Sequence, residues 1–170
     1  MTPKNRTESK EEKRNNKNIT NDCLNTIKTN IKVVDLHMNI NDRACVAAEL
    51  KRSGKCNCAQ AVVTVLTDQT GLSEDELRNA ASGFCAGMGT MEATCGALIG
   101  AGMIAGLATN GSGTLRYTRQ IITSFKELCG ATTCKELKST VNGRPLCPCD
   151  MCVKNAVLAY GDALGLKDNK

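Results

Sequence analysis

The sequence predicts an all-α protein, a compact bundle of five to seven helices behind a disordered N-terminal tail. Apolar residues recur once per helical turn in several segments, and residues that commonly cap helices precede them. No segment alternates apolar and polar residues over the length of a strand. The 170 residues are 41% hydrophobic, which is enough to bury the core of one domain.

The first part of the chain is a polar tail. Residues 1–22 are rich in Lys, Asn and Glu, and residues 23–41 carry only scattered Leu, Ile and Val. A segment that buries so little cannot offset the entropy lost on ordering. We therefore expect residues 1–41 to be disordered or weakly structured, and residues 42–170 to form a cysteine-rich helical domain.

Two helices are predicted at the start of this domain. Asp42 is a predicted N-cap, followed by a helix over 43–52. Asn57 stands where it can cap a second helix over 57–70. Four apolar residues of that second helix lie on one face at helical spacing, namely Ala61, Val62, Val65 and Leu66.

A short helix and a loop follow. Ser73 and Glu76 have the spacing of a capping box and predict a helix that reaches about residue 82. Residues 83–91 are interrupted by glycines and predict a loop. Glu92 is the charge that adjoins the next segment, and we expect it to cap the helix there.

Residues 93–109 are the most distinctive segment, because no charged residue occurs between positions 93 and 115. Small residues recur every four positions, which predicts a buried helix that neighbouring backbones approach closely. In particular, Gly96 and Gly100 are predicted to leave room for a neighbouring backbone or a bound cofactor. A membrane span is not predicted, since the apolar run ends in a polar, glycine-rich stretch.

Three helical segments complete the domain. Residues 134–139 and 149–164 predict a short and a long helix, separated by a loop over 140–148 that contains two prolines. Residues 114–129 predict an amphipathic helix. Its inward-facing residues are predicted to be Leu115, Ile121, Ile122, Phe125 and Leu128.

Composition excludes several classes of function. Aromatic residues make up only 2% of the chain, so base stacking and a nucleic-acid partner are not expected. The net charge of +5 is spread over tail and domain, without a strongly basic part. The single histidine, His37, excludes any site that needs two protein imidazoles.

Cysteine is the residue type that carries the chemistry. The chain has 11 cysteines, an odd number, and its first residues lack the apolar stretch of a signal peptide. We therefore expect a cytoplasmic protein whose thiols are reduced, metal-bound or redox-active rather than paired in a disulfide framework.

The cysteine spacing indicates where reactivity concentrates. Cys149 and Cys152 form a CxxC sequence at the predicted start of the last helix, where backbone amides lower thiol pKa values. They are the candidate redox pair. Cys58, Cys95 and Cys134 are delivered singly from other helices, and this distribution suits a metal or cluster inside a helical bundle better than a zinc ribbon.

Several motifs resemble the C_GCAxxG_C_C family, which is named for four spaced cysteines and a CGAxxG motif and described as redox-active. In chain order they are NCAQAV, FCAGMG, CGALIG and CKEL, followed by Cys149. The likeness covers about residues 42–165 and implies a redox domain. It assigns the four family cysteines to Cys58, Cys95, Cys134 and Cys149, with Cys152 as the alternative for the last position.

Four hypotheses follow, in order of preference. The first is an electron-transfer protein with an iron–sulfur cluster on Cys58, Cys95, Cys134 and Cys149, since such clusters require cysteine thiolates. The second is metal-free thiol/disulfide chemistry at Cys149 and Cys152. The third is a binding module with a structural zinc, and the fourth a purely structural helical protein. The first two imply an unidentified redox partner protein, and a homo-oligomer is left open.

Overall fold

The computed structural model describes residues 38–141 and 143–166. The predicted tail lies outside the described residues, except for positions 38–41, and so does His37. All statements of structure below refer to the described part of the chain.

Helices account for most of the described residues, which confirms the predicted all-α class and the predicted number of helices. Seven α-helices occur there: α1 (Ile40–Arg52), α2 (Cys58–Val65), α3 (Glu74–Ala80), α4 (Gly96–Ala108), α5 (Thr114–Cys129), α6 (Cys134–Lys138) and α7 (Cys149–Leu164). The turn Thr67–Gln69 is 3-10 helical, and Gly87–Met91 is a tight turn in which Met88 and Gly89 have positive φ angles. Two short strands, β1 (Thr140–Val141) and β2 (Arg144–Pro145), pair antiparallel.

The last helix organises the core. Helix α7 packs along α1 and α5 and also touches α2 and α4. Its side chains Val153, Val157 and Tyr160 are fully buried. None of the described helices combines the length and the apolar character needed to cross a lipid bilayer, as predicted.

The small residues of α4 allow close packing, as the sequence predicts. A Cβ at Gly96 would overlap the carbonyl oxygen of Phe84. A Cβ at Gly100 would lie 2.9 Å from the carbonyl oxygen of Ala59 on α2. By contrast, a Cβ at Gly102 would have no neighbour within 4 Å. The glycines at 96 and 100 are thus explained by packing, and their predicted cofactor role stays a prediction.

The predicted first N-cap is wrong. Asn39, not Asp42, caps α1, because the Asn39 side chain accepts a hydrogen bond from the Asp42 amide at 2.9 Å. Asp42 lies in the first turn instead, where its negative charge favours the positive end of the helix.

The second helix is shorter than predicted. It ends at Val65 because its last carbonyl groups find partners outside the helix. The Thr67 hydroxyl donates to the carbonyls of Val63 and Thr64, both at 3.0 Å, and the Arg43 guanidinium donates to the Val65 carbonyl at 2.8 Å.

The inward face of α5 is narrower than predicted. Ile121 and Phe125 are buried, but Leu115 is 65% exposed, Leu128 is 53% exposed and Ile122 is 39% exposed. Helix α7 covers only one strip of α5, so amphipathic spacing identified the correct face and overestimated its width.

One predicted loop contains regular structure, since residues 140–145 include the short antiparallel pair. Residues 83–91 form a loop as predicted, and several residues there have positive φ angles. Asn57 and Ser73 cap their helices as predicted, each within a capping box.

Candidate cysteine site

Seven cysteines interact with one another in one region of the protein, and we call them the cysteine cluster; Cys85 lies at its margin and interacts with Cys134. All seven carry free thiols. Six are buried, and Cys149 is partly exposed. The members are Cys58, Cys95, Cys129, Cys134, Cys147, Cys149 and Cys152.

Helix starts supply three of these thiols. Cys58 is the first residue of α2, Cys95 is the N-cap of α4, and Cys149 is the first residue of α7. Amide groups at a helix start favour a negatively charged neighbour, so these positions favour thiolates. The predicted cap Glu92 is wrong, because Cys95 occupies the N-cap and the Glu92 carboxylate lies at the surface, 4.0 Å from the Lys135 ammonium.

Backbone hydrogen bonds hold Cys95 beside Cys134. The Cys95 amide donates to the Thr132 carbonyl at 2.8 Å, and the Cys134 amide donates to the Ala93 carbonyl at 3.1 Å. The two segments therefore run side by side, although 39 positions separate the cysteines in the chain.

The glycine-rich segment before α4 packs on Cys134. A Cβ at Gly87 would lie 2.9 Å from the Cys134 Cβ, so a larger residue would displace the cysteine. The Cys134 Sγ lies 3.7 Å from the Met91 Sδ. Met91 and Ala86 have positive φ angles of 66° and 48°, a strained conformation that is concentrated at functional sites.

Three cysteines form the most compact part of the cluster, and we call them the thiol triad. The Sγ atoms of Cys129, Cys147 and Cys152 all lie within 4.8 Å of one another. The Cys147 thiol donates to the Cys129 Sγ at 3.2 Å, and the Asn155 amide also donates to that sulfur at 3.2 Å.

Hydrogen bonds within the triad shift the pKa values of its three thiols in opposite directions. Hydrogen bonding from Cys147, interaction with Cys152 and the Asn155 amide lower the pKa of Cys129 to about 4. The interaction with Cys129 raises the pKa of Cys147 to about 12 and also raises the pKa of Cys152. Cys129, which accepts from both Cys147 and Asn155, is thus the sulfur of the triad that most favours the thiolate form.

Cys58 and Cys149 form a second interacting pair. Interaction with the Cys58 thiol lowers the pKa of Cys149 to about 5, while burial opposes the change and the Lys138 ammonium supports it. The same interaction raises the pKa of Cys58, and burial adds to the increase. Cys149 is thus the thiolate of this pair.

Cys95 connects the pair and the triad. Interaction with Cys152 lowers the pKa of Cys95 to about 7, against the effect of burial. The backbone amides of Ala97 and Leu98, in the first turn of α4, also favour its thiolate. In contrast, burial raises the pKa of the Cys134 thiol.

Lys138 is the cation beside these sulfurs. Its ammonium donates to the Cys147 carbonyl at 3.0 Å. Burial would lower the pKa of Lys138, but interactions with Cys149, Cys152 and Cys134 outweigh it and raise the pKa. Lys138 therefore stays charged and offsets the negative charge of the thiolates.

The structure brings all four sequence-predicted ligands into the cluster: Cys58, Cys95, Cys134 and Cys149. The predicted redox partners Cys149 and Cys152 interact most strongly with other thiols, Cys149 with Cys58, and Cys152 with Cys129. Sequence reasoning missed four participants, namely Cys129, Cys147, Lys138 and Asn155. Of these four residues, the sequence pointed only to Cys147, through its close spacing to Cys149 and Cys152.

The donor set restricts the groups that the cluster can hold. The compact group contains sulfur alone, without carboxylate or imidazole. Magnesium and calcium prefer oxygen ligands, whereas iron–sulfur clusters, zinc and monovalent copper accept thiolates. The residues present therefore fit a thiolate-bound metal or an iron–sulfur cluster.

Comparison with known proteins gives one finding. A family model described as "Putative redox-active protein (C_GCAxxG_C_C)" matches residues 56–162, a span that contains all seven members of the cysteine cluster. Comparisons with curated proteins and with solved structures found no match.

Proposed function

Because the chain belongs to the C_GCAxxG_C_C family, we propose that it is a redox protein that transfers electrons through an iron–sulfur cluster. The proposed ligands are Cys58, Cys95, Cys134 and Cys149. The proposed redox domain is residues 42–170, in a cytoplasmic protein that exchanges electrons with a partner protein.

The observation that carries this proposal is a closed ring of interactions among the four thiols. Cys58 interacts with Cys149 and with Cys95, and Cys134 interacts with the same two residues. Four cysteine sulfurs that interact in this way supply the number and type of donors that an iron–sulfur cluster requires.

The charges near these sulfurs support the same proposal. Metal ligation requires thiolates, and the lowered pKa values of Cys149 and Cys95 supply two of them close to neutral pH. The Lys138 ammonium offsets negative charge, and burial limits the access of water. Charge, hydrogen bonds to sulfur and solvent exposure are the features that set the potential of such clusters.

When bound, the cluster would supply one-electron chemistry, and the chain would hold it. The partly exposed Cys149 marks the edge of the site that solvent and a partner can approach. Lys138, beside Cys149, would retain its charge while the cluster gains or loses an electron.

Anaerobic reconstitution with iron and sulfide tests the proposal. The protein should acquire stoichiometric iron and a brown absorbance that reduction bleaches reversibly. Cys58→Ser and Cys95→Ser should lose most of the iron, because serine is a poor ligand for iron. Cys56→Ser is the matched control, since Cys56 is equally buried at 4% and lies outside the cysteine cluster.

Two outcomes would contradict the proposal. One is a colourless protein that takes up no iron. The other is a protein in which Cys56→Ser lowers the iron content as much as Cys95→Ser does. A colourless protein with stoichiometric zinc would instead support the structural-zinc alternative.

Metal-free thiol/disulfide exchange is the second candidate, and the Cys58–Cys149 pair favours it. The partly exposed Cys149 thiolate would attack a substrate disulfide and form a mixed disulfide, and Cys58 would then displace the second substrate sulfur. The substrate disulfide gains two electrons and two protons, while Cys58 and Cys149 become a disulfide. A two-electron couple in metal-free protein, abolished in Cys149→Ser, would support this candidate.

A further inference from the structure

We propose that the thiol triad of Cys129, Cys147 and Cys152 is a second metal site, which binds a thiophilic d10 cation of the zinc(II) or copper(I) class. The family resemblance assigns neither Cys129 nor Cys147, and it gives Cys152 only as the alternative for its last position. The site lies beside the proposed iron–sulfur ligands and does not depend on that proposal.

The triad is assembled from three separate parts of the fold. Cys129 ends α5, Cys147 lies in the segment before α7, and Cys152 lies in the first turns of α7. Its three Sγ atoms lie within 4.8 Å of one another. Because the three side chains are at most 5% exposed, the sulfurs form a dry pocket of donors.

The segment that carries Cys147 is held in place from both sides. Its amide donates to the Leu137 carbonyl at 3.0 Å, and its carbonyl accepts from the Lys138 ammonium at 3.0 Å. The Cys147 sulfur is therefore held near Cys129 without contacts to a metal. A donor set that is positioned before binding loses less entropy when an ion arrives.

A buried amide points into the same site. Asn155 is 8% exposed, and its Nδ2 donates to the Cys129 Sγ at 3.2 Å. Hydrogen bonds of this kind orient ligands and stabilise the negative charge of a metal-bound thiolate. Asn155 would thus be a positioning residue for the metal, with no direct contact to it.

The number and type of donors define the cation. Three buried sulfurs without oxygen or nitrogen donors select soft ions over magnesium, calcium or manganese. Thiolates alone can complete the coordination of copper(I). Zinc(II) prefers four ligands, and in protein without an iron–sulfur cluster Cys95, which interacts with Cys152, is the candidate for the fourth. Three thiolates around zinc(II) leave one negative charge, which Lys138 offsets.

Anaerobic titration of the metal-free, reduced full chain tests this site. Zinc(II) and copper(I) are each titrated in competition with a chromophoric chelator, and far-ultraviolet circular dichroism confirms that each variant is folded. One of the two ions will bind the parent more tightly. We expect Cys129→Ser and Cys147→Ser to lower the affinity for that ion at least about 100-fold, and Asn155→Ala to lower it about 10-fold. Cys58→Ser and Cys56→Ser should retain the affinity of the parent.

A measurement on the bound ion completes the test independently of the variants. X-ray absorption of the zinc-loaded protein should show sulfur neighbours at about 2.3 Å and no light-atom shell. The proposal is overturned if Cys129→Ser and Cys147→Ser bind both ions as the parent does, or if Cys58→Ser alone removes the site. Failure of iron reconstitution leaves these outcomes unchanged, so the two proposals fail separately.

Discussion

At the level of single residues, Lys138 adds to the effect of Cys58 on the charge of Cys149, the exposed edge of the cysteine cluster. Its ammonium interacts with Cys149 and favours the thiolate there. Partial burial of Lys138 makes this interaction stronger than one at the surface, because less water screens it. The reactivity of Cys149 should therefore depend on a side chain 11 positions earlier in the chain.

Replacing Lys138 by methionine should raise the pKa of Cys149, from about 5 by about one to three pH units. The thiolate is the reactive form, so alkylation slows as the pH falls through the pKa. In Lys138→Met this decline should begin at a higher pH. Iodoacetamide labelling of metal-free, reduced protein between pH 4 and 9, followed by peptide mass spectrometry at Cys149, measures the profile.

Lys135→Met is the matched control for this experiment. Lys135 lies on the same short helix, but its side chain is 74% exposed and faces Glu92 at the surface. The labelling profile of this variant should match that of the parent. Equal shifts in both variants would show that Lys138 acts through general charge and not through its contact with the cluster.

The site could be predicted from sequence only in part, and chain separation explains why. Cys95 was expected at a helix start because the uncharged segment begins there, and Cys149 because of its CxxC sequence. Cys58 and Cys134 were candidates because they lie on separate helices, and the resemblance added support for all four. Cys129 meets Cys147 across 18 positions and Asn155 across 26. Such contacts depend on how α5 and α7 pack, which no local pattern of residues specifies.

At the level of secondary-structure elements, α4 depends on two glycines that let its start approach neighbouring backbone. Gly96 lies against the Phe84 carbonyl, and Gly100 lies against the Ala59 carbonyl. A carbonyl group cannot rotate away as a side chain can. The same helix also carries Gly102, which has open space around it.

Gly96→Ala should destabilise the protein by about 3 kcal/mol, in the upper part of the range for overpacked cores. Gly102→Ala should instead be stabilising by about 0.5–1 kcal/mol, because alanine loses less entropy in a helix than glycine does. Urea unfolding followed by circular dichroism measures both. Equal stability of the two variants would mean that the start of α4 is not closely packed.

A buried ion pair fixes α1 to the turn after α2. The Arg43 guanidinium forms an ion pair with Asp68 and donates to the carbonyls of Met38 at 2.9 Å and Val65 at 2.8 Å. Its side chain is 6% exposed, so removal would leave the Val65 carbonyl without this donor and the Asp68 carboxylate with only the Gln69 amide, in a poorly hydrated place.

Arg43→Met should therefore cost about 3–5 kcal/mol, the range for breaking one side of a buried pair. Arg78→Met removes a comparable pair with Glu74, but that pair lies at the surface and should contribute less than about 0.5 kcal/mol. Thermal unfolding of both variants gives the comparison. A similar loss in the two would contradict the structural importance of the buried pair.

Capping boxes predicted two helix starts correctly, whereas the isolated caps Asp42 and Glu92 were wrong. Asn57 and Ser73 mark helix starts, because each accepts a hydrogen bond from an amide in the first turn of its own helix. The inward face of α5 was overestimated, since Leu115 and Leu128 have the right spacing but no neighbouring helix to cover them. Caps are local interactions, whereas burial depends on which element packs where.

At the level of the whole molecule, α7 couples the cysteine cluster to the core. Cys149 and Cys152 occupy its first turns, and Val157 and Tyr160 fill the core further along. An ion or iron–sulfur cluster bound at the start of this helix would also restrain its contacts with α1 and α5. Binding to the folded state alone stabilises that state by mass action.

Loading the cysteine cluster with its metal group should therefore raise the melting temperature. A free concentration of about 100 times Kd contributes about 2.7 kcal/mol, which corresponds to roughly 5–10 °C for a chain of this size. Calorimetry of the reconstituted and the metal-free protein, both reduced and anaerobic, measures the increment.

Cys95→Ser should lose most of this increment, because Cys95 interacts with both Cys58 and Cys152 and so adjoins both proposed sites. Cys56→Ser also places a hydroxyl in a buried position, so both variants should melt at a lower temperature in the metal-free state. Only Cys56→Ser should regain stability on loading. If loading stabilises the two variants equally, Cys95 is not a ligand. Metal binding would then stabilise the fold through other residues than the first residues of α4.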